Sequence, residues 1–170
     1  MGSCCKDGVE VKRYLLSEIE KECIPYKNGE TIGFIHSKGY EFDIGVSNRN
    51  IRLERTESYH CGDNYSSYES LKVDLVSDIP ELYIKLEMVP REFFPLMTVS
   101  INSTYFNLDI LSEPHFDTLT INEKMYTNIY LGKTFIADTL TILPGTILYN
   151  KEYGIIQIVM TNEEKFTLNK

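Results

Sequence analysis

Two polar segments carry the residues whose types could do chemistry. Residues 59–68 (YHCGDNYSSY) bring Tyr59, His60, Cys61, Asp63, Asn64, Tyr65 and Tyr68 together, and residues 111–117 (LSEPHFD) add His115 and Phe116. Tyrosine supplies a large contact area at low entropic cost, while aspartate, asparagine and histidine add hydrogen bonds, a mixture suited to recognition. Tyr59, His60, Asp63, Asn64, Tyr65, Tyr68 and His115 are therefore the expected ligand-binding residues, with Phe116 as a neighbour. The competing expectation is that these tyrosines fold back and cover their own domain.

Other chemistries find less support. Nucleophilic hydrolysis needs a serine or cysteine on a sharp turn with a histidine base, and no Gly-x-Ser-x-Gly is present. His60 and Cys61 are adjacent, so on an extended chain they point opposite ways and make a poor dyad. His36, His60 and His115 fall in separate segments without metal-ligand spacing, and Asp63, Asn64 and Glu69 are too sparse for a calcium loop. No catalytic residue, metal ligand or cofactor is assigned. The net charge is −8, from 17 basic and 25 acidic residues. Phosphate-backbone binding draws on clustered Lys and Arg, so a nucleic-acid partner is disfavoured, as is a membrane surface bound through charge.

The elements that must position these residues read as strands. Residues 40–47, 82–88, 105–110 and 125–131 alternate apolar and polar; in the last, Met125, Thr127, Ile129 and Leu131 are set against Tyr126, Asn128 and Tyr130. This period marks antiparallel strands with one buried face. Shorter candidates lie at 31–36, 51–56, 71–76, 97–102, 119–121, 146–150, 155–161 and 166–168, with turn residues such as Ile121-Asn122-Glu123-Lys124 between them. The expected fold is mainly β, an antiparallel sandwich or barrel with one short N-terminal helix. Ser17 with Glu20 forms a capping-box pattern, Leu16, Ile19, Cys23 and Ile24 share a helical face, and Pro25 stops the helix. Residues 1–13 read as a polar tether and 14–170 as a single β-rich domain.

The start, Met1-Gly2-Ser3-Cys4-Cys5, has three readings. It resembles the end of a bacterial lipoprotein signal, with lipid on Cys4. It could be left over from cloning. It could be a myristoylation and palmitoylation start, although that motif wants Ser or Thr where Lys6 stands. In an oxidising compartment Cys61 is expected to bond to Cys23, with a buried thiol at Cys23 as the alternative and Cys5 as the next partner.

The two ends of the chain resemble small lipoproteins of the Bacteroidota. The stretch from Leu16 (LSEIEKECIPYKNGETIGF) and the hairpin from Ile147 (ILYNKEYGIIQI), with Glu164-Lys165-Phe166-Thr167-Leu168, carry the resemblance. It covers about a third of the chain and implies an exported protein anchored by lipid on Cys4 to the outer membrane, on its periplasmic or surface side, with no catalytic residue to carry over. Three roles follow: a lipid-anchored envelope protein that binds a protein, glycan or small ligand; a hydrolase of glycan or peptide in the same compartment; or a structural subunit, which needs an open edge strand.

Overall fold

The computed structural model describes residues 8–56, 63–94, 96–134 and 145–169. Cys4, Cys5, Tyr59, His60 and Cys61 lie outside them. In chain order the elements are β1 (Glu10–Tyr14), α1 (Glu18–Glu22), β2 (Thr31–His36), β3 (Glu41–Arg55), β4 (Tyr65–Ser77), β5 (Leu82–Met88), β6 (Met97–Ile101), β7 (Thr104–Leu108), β8 (Phe116–Ile121), β9 (Lys124–Lys133), β10 (Thr146–Asn150), β11 (Gly154–Val159) and β12 (Lys165–Leu168).

Ten of the strands close on themselves in the order β4-β3-β2-β12-β11-β10-β9-β7-β6-β5, with β5 returning to β4, and every pair in the ring is antiparallel. The fold is thus the barrel of the two expected architectures. β8 pairs with β9 outside the ring, and β1 lies parallel to the first residues of β4. The expected polar tether of residues 1–13 therefore does not extend over Glu10–Arg13, and Glu10–Tyr14 is strand. Its signal was invisible because β1 has no alternating buried face: Val9 and Val11 are both exposed.

Period-two alternation explains the core. The register sets Ile32 opposite Ile44 and Phe34 opposite Phe42, so all four side chains point to the barrel axis. Leu71, Leu75, Ile84, Leu86, Met97 and Phe106 join them, all fully buried. Each contributes roughly 1.5–3 kcal/mol of burial. On the outside, Glu41, Asp43, Tyr83 and Lys85 alternate with these residues. Gly132 makes room for two packed side chains: a Cβ there would lie 2.5 Å from the Ile147 side chain and 2.6 Å from that of Leu108.

Three details depart from the alternation. The expected strands at 40–47 and 51–56 are one strand, β3, bent by a bulge between Val46 and Asn48. β4 begins at Tyr65, so the last four residues of the 59–68 segment are strand, not loop. In β9 the faces are exchanged at the start: Tyr126 is buried and Met125 is 67% exposed. Asn128 adopts a positive φ of 53°, which breaks the two-residue rhythm between Tyr126 and Ile129.

The segment from Leu15 to Tyr26 closes one end of the barrel. Ser17 caps α1 with the reciprocal Ser17–Glu20 box. Leu16, Cys23 and Ile24 are buried as the helical spacing indicated, but Ile19 is 69% exposed and Glu20 takes the inward place. Glu20 turns in because its carboxylate is wanted there: Oε2 accepts from Ser17 N–H at 2.7 Å and Oε1 from Arg91 N–H at 2.6 Å. Arg49, on β3 after the bulge, donates to the carbonyls of Lys21, Ile24 and Tyr26 at 3.0, 2.8 and 3.2 Å. It thereby satisfies the orphan acceptors of a short helix. Cys23 is a free buried thiol whose Sγ–H donates to Ile19 O at 3.3 Å. The expected Cys23–Cys61 bond is therefore not formed. The thiol is folded into the closed barrel end, and burial pushes its pKa up.

Candidate functional site

The expected recognition residues that the structure describes do not share a cavity. Asp63 and Asn64 are exposed. Asn64 Oδ1 accepts from Val9 N–H at 3.3 Å, and Tyr65 N–H donates to Val9 O at 3.1 Å, so both help to seat β1. The Tyr65 ring lies under the Arg55 guanidinium, 4.3 Å from its centroid. Tyr68 is half-buried and stacks on Phe93 at 4.1 Å, with Tyr14 tilted against the far side of Phe93 at 5.5 Å. Its hydroxyl donates to Glu54 at 3.3 Å, and burial together with that carboxylate raises its pKa. These tyrosines dock the first strand onto β4.

His115 sits elsewhere, where the connection from β7 to β8 runs along the edge of β9. Its N–H donates to Ile129 O at 2.8 Å, and its Nδ1 accepts from Leu131 N–H at 3.4 Å. The imidazole stands in for a missing strand partner. Burial, then the nearby Lys133, lowers its pKa. It borders a recess of about 360 Å³ with Asn107, Asp109 and Lys133. There one carboxylate oxygen of Asp109 is bonded by Ser112 at 2.5 Å, and the other is buried with no hydrogen-bond partner among the described residues. Phe116 follows on β8, half-buried.

A larger concavity lies at the barrel end closed by α1. It is a groove of about 650 Å³ between the β1–α1 link and residues 90–92, with Leu111 at its floor. Leu15, Ile19, Pro90 and Leu111 give it apolar walls. Leu15 and Ile19 are exposed there because the link must cross from β1 to the helix cap, and its one inward anchor is Leu16, whose N–H donates to Glu69 at 2.9 Å.

The charges around this groove are unequal in availability. Arg13 is held by Glu10 in a two-pronged pair, Nε to Oε1 at 3.0 Å and Nη2 to Oε2 at 2.7 Å. Glu10 also accepts from Ser67, and these hydrogen bonds, Arg13 first, lower its pKa to about 2. Lys12 faces Glu92 at 3.5 Å. Burial pushes the Glu20 carboxyl up, but the hydrogen bonds from Ser17 and Arg91 outweigh it, and Glu20 ends below the ordinary glutamate value. Arg91 lends its backbone to Glu20 and is exposed, and among the described residues its guanidinium has no ion pair. The groove thus offers an apolar trough with an exposed arginine at its rim, whose charge also acts on Glu20.

Sequence reasoning singled out Leu111 through its loop but missed Ile19, Pro90 and Arg91. A five-residue helix gives too little periodicity to show that Ile19 faces out. Among the described residues no group of three or more His, Cys, Asp or Glu could hold a metal ion, and no helix is long and apolar enough to cross a membrane. No protein-family description matches the chain, and no curated protein or solved structure matches it either.

Proposed function

We propose that this chain is a lipid-anchored protein of a bacterial cell envelope that binds an amphipathic, anionic ligand or peptide in the groove between residues 13–20 and 90–92. The observation that carries this reading is the contrast between a filled barrel and an open groove. The barrel axis is occupied by Phe34, Ile44, Leu86, Phe106 and Tyr149, all fully buried, so among the described residues the interior is filled by side chains. The groove, at about 650 Å³, is within the size range of ligand pockets and combines apolar walls with the exposed Arg91, which makes no direct ion pair among the described residues. The envelope location and the lipid on Cys4 rest on the resemblance of the chain ends and on the Ser3-Cys4 junction.

Two measurements test the two halves. Titration with the apolar anion anilinonaphthalene sulfonate should give saturable fluorescence that weakens in Arg91→Glu and Ile19→Asp. Equal binding by both variants would remove the groove from the proposal. Cells fed an alkyne fatty acid should label the native precursor, and label retained in Cys4→Ser would remove the anchor.

A second reading, hydrolysis, has one observation in its favour, a buried Asp109 oxygen with no partner among the described residues, in the same recess as a histidine of lowered pKa. Turnover of a glycan or peptide that is lost in Asp109→Asn would support it, and turnover unchanged in that variant would set it aside.

A further inference from the structure

We propose that two copies of this chain associate through the free edge of β3, pairing antiparallel about a two-fold axis at Leu53. The inference goes beyond the groove reading and rests on a different part of the molecule.

β3 is longer than its neighbour on one side. β2 pairs with it only as far as Gly45, whereas β4 follows it to Arg55. Past the bulge, backbone groups alternate between the β4 side and the open side. The phase is fixed at both ends: the Arg49 carbonyl points outward to the Asn28 amide, and Thr56 N–H donates inward to Ser66 O. Ile51, Leu53 and Arg55 therefore turn their backbone N–H and C=O groups to the open edge, where no described residue meets them.

Edge strands are ordinarily guarded by proline, a bulge or an inward charge. Residues 51–55 hold no proline and no bulge, their charges (Arg52, Glu54, Arg55) are of mixed sign, and the side chains beside the open groups, Ile51 and Leu53, are 44% and 52% exposed. An extended strand can add here by main-chain hydrogen bonding.

The charges select the occupant and its register. In an antiparallel self-pairing centred on Leu53, Leu53 faces its own copy, Ile51 faces Arg55 and Arg52 faces Glu54. All three pairs formed by the open residues are of the type that exchanges both backbone hydrogen bonds. Arg52 has no ion pair among the described residues, and across the two-fold it meets Glu54 twice. Moving the axis one residue back sets Arg52 against Arg52, and moving it one residue forward sets Glu54 against Glu54; like charges directly opposite are unfavourable. Moving it further back requires the Arg49 carbonyl, which Asn28 already holds. The sequence Arg52-Leu53-Glu54 is thus self-complementary in one register.

The interface is small, so a reversible dimer is expected with a Kd on the order of 100 µM or tighter. Sedimentation equilibrium of the unlipidated full chain should show the mean mass rising above 19.7 kDa with concentration. Arg52→Glu should weaken association about tenfold or more by placing acids opposite Glu54. Combining Arg52→Glu with Glu54→Arg should restore it. Leu53→Lys, which sets two cations on the axis, should abolish it without the change at Glu54 that also touches Lys72. Melting curves confirm that each variant is folded. A mass that stays monomeric up to about 1 mM, association unchanged in both Arg52→Glu and Leu53→Lys, or a folded double variant that fails to recover overturns the proposal.

Discussion

Tyr149, wholly buried on β10, donates its phenolic hydrogen to the carbonyl oxygen of Cys23 at 2.8 Å. The contact joins the barrel wall to the segment that closes its end. Burial raises the Tyr149 pKa well above the ordinary value, so the hydroxyl keeps its proton and remains a donor near neutral pH. Tyr149→Phe keeps the ring and strands the carbonyl, with an expected cost of about 1–3 kcal/mol. Urea unfolding should show an earlier midpoint with an unchanged slope.

Gly154 meets a second tyrosine of the same end. Its φ is +78°, and a Cβ would lie 2.2 Å from the Tyr26 hydroxyl and 2.3 Å from the ring carbon that carries it. Ile155 N–H donates to that hydroxyl at 2.6 Å, so the ring is not free to move away. Gly154→Ala should cost about 2–4 kcal/mol. Gly29→Ala is the control: φ is +77° with open space around it, and about 1 kcal/mol is expected. Equal losses at the two sites would show that backbone conformation alone decides the effect.

His115 gives the fold a pH dependence of known sign. Its folded-state pKa lies below the ordinary value, so as pH falls the unfolded chain takes the proton first. Its contribution is complete above the ordinary histidine pKa of about 6.5 and is lost as pH falls through that value toward the lower folded one. Protonation also removes the acceptor that Leu131 N–H uses. His115→Asn, with an amide oxygen as acceptor, should flatten the melting-temperature profile between about pH 7.5 and 5. A profile as steep as that of the parent would place the titration elsewhere.

Cys23 should be inert while the protein is folded, because burial and the hydrogen bond to Ile19 O keep its thiol protonated and covered. In a variant with Cys4, Cys5 and Cys61 changed to serine, a thiol reagent should react only at the rate of unfolding. Fast labelling under native conditions would contradict the packing described for the barrel end.

Strand positions were legible in the sequence wherever one face was buried and the other wet. β2 and β5 fall within the expected bounds, since Ile32, Phe34, Leu82, Ile84 and Leu86 alternate without interruption, and β10 keeps its expected bounds although all five of its residues are buried. The reading failed where a rule was broken locally. Asn128 adopts a left-handed conformation and exchanges the faces of β9, and the bulge after Val46 joins two strands into one. β1 escaped because it is held by Ser67, Tyr65 and Tyr68 on its partner, and its own pattern is charged. Closure was not legible at all, since β4 pairs with both β3 and β5 and only the spatial ring reveals it. The groove was legible only at Leu111. Its other walls come from a helix cap and a connection far apart in sequence, brought together by the bond from Arg91 N–H to Glu20.

The parallel seating of β1 on β4 determines how the molecule carries tension applied through its first residues. β1 and β4 run in the same direction, with Glu10 beside Tyr65 and Tyr14 beside Tyr68. A pull along β1 therefore loads its ladder in shear, all bonds at once, instead of peeling them one by one. The hydrogen bond from Ser67 to Glu10 and the Tyr14–Phe93–Tyr68 aromatic stack resist the same sliding. Behind them the link to Leu16 and the helix stays slack until β1 gives way. The first strand thus acts as a mechanical fuse, which must fail before the barrel end behind it is loaded.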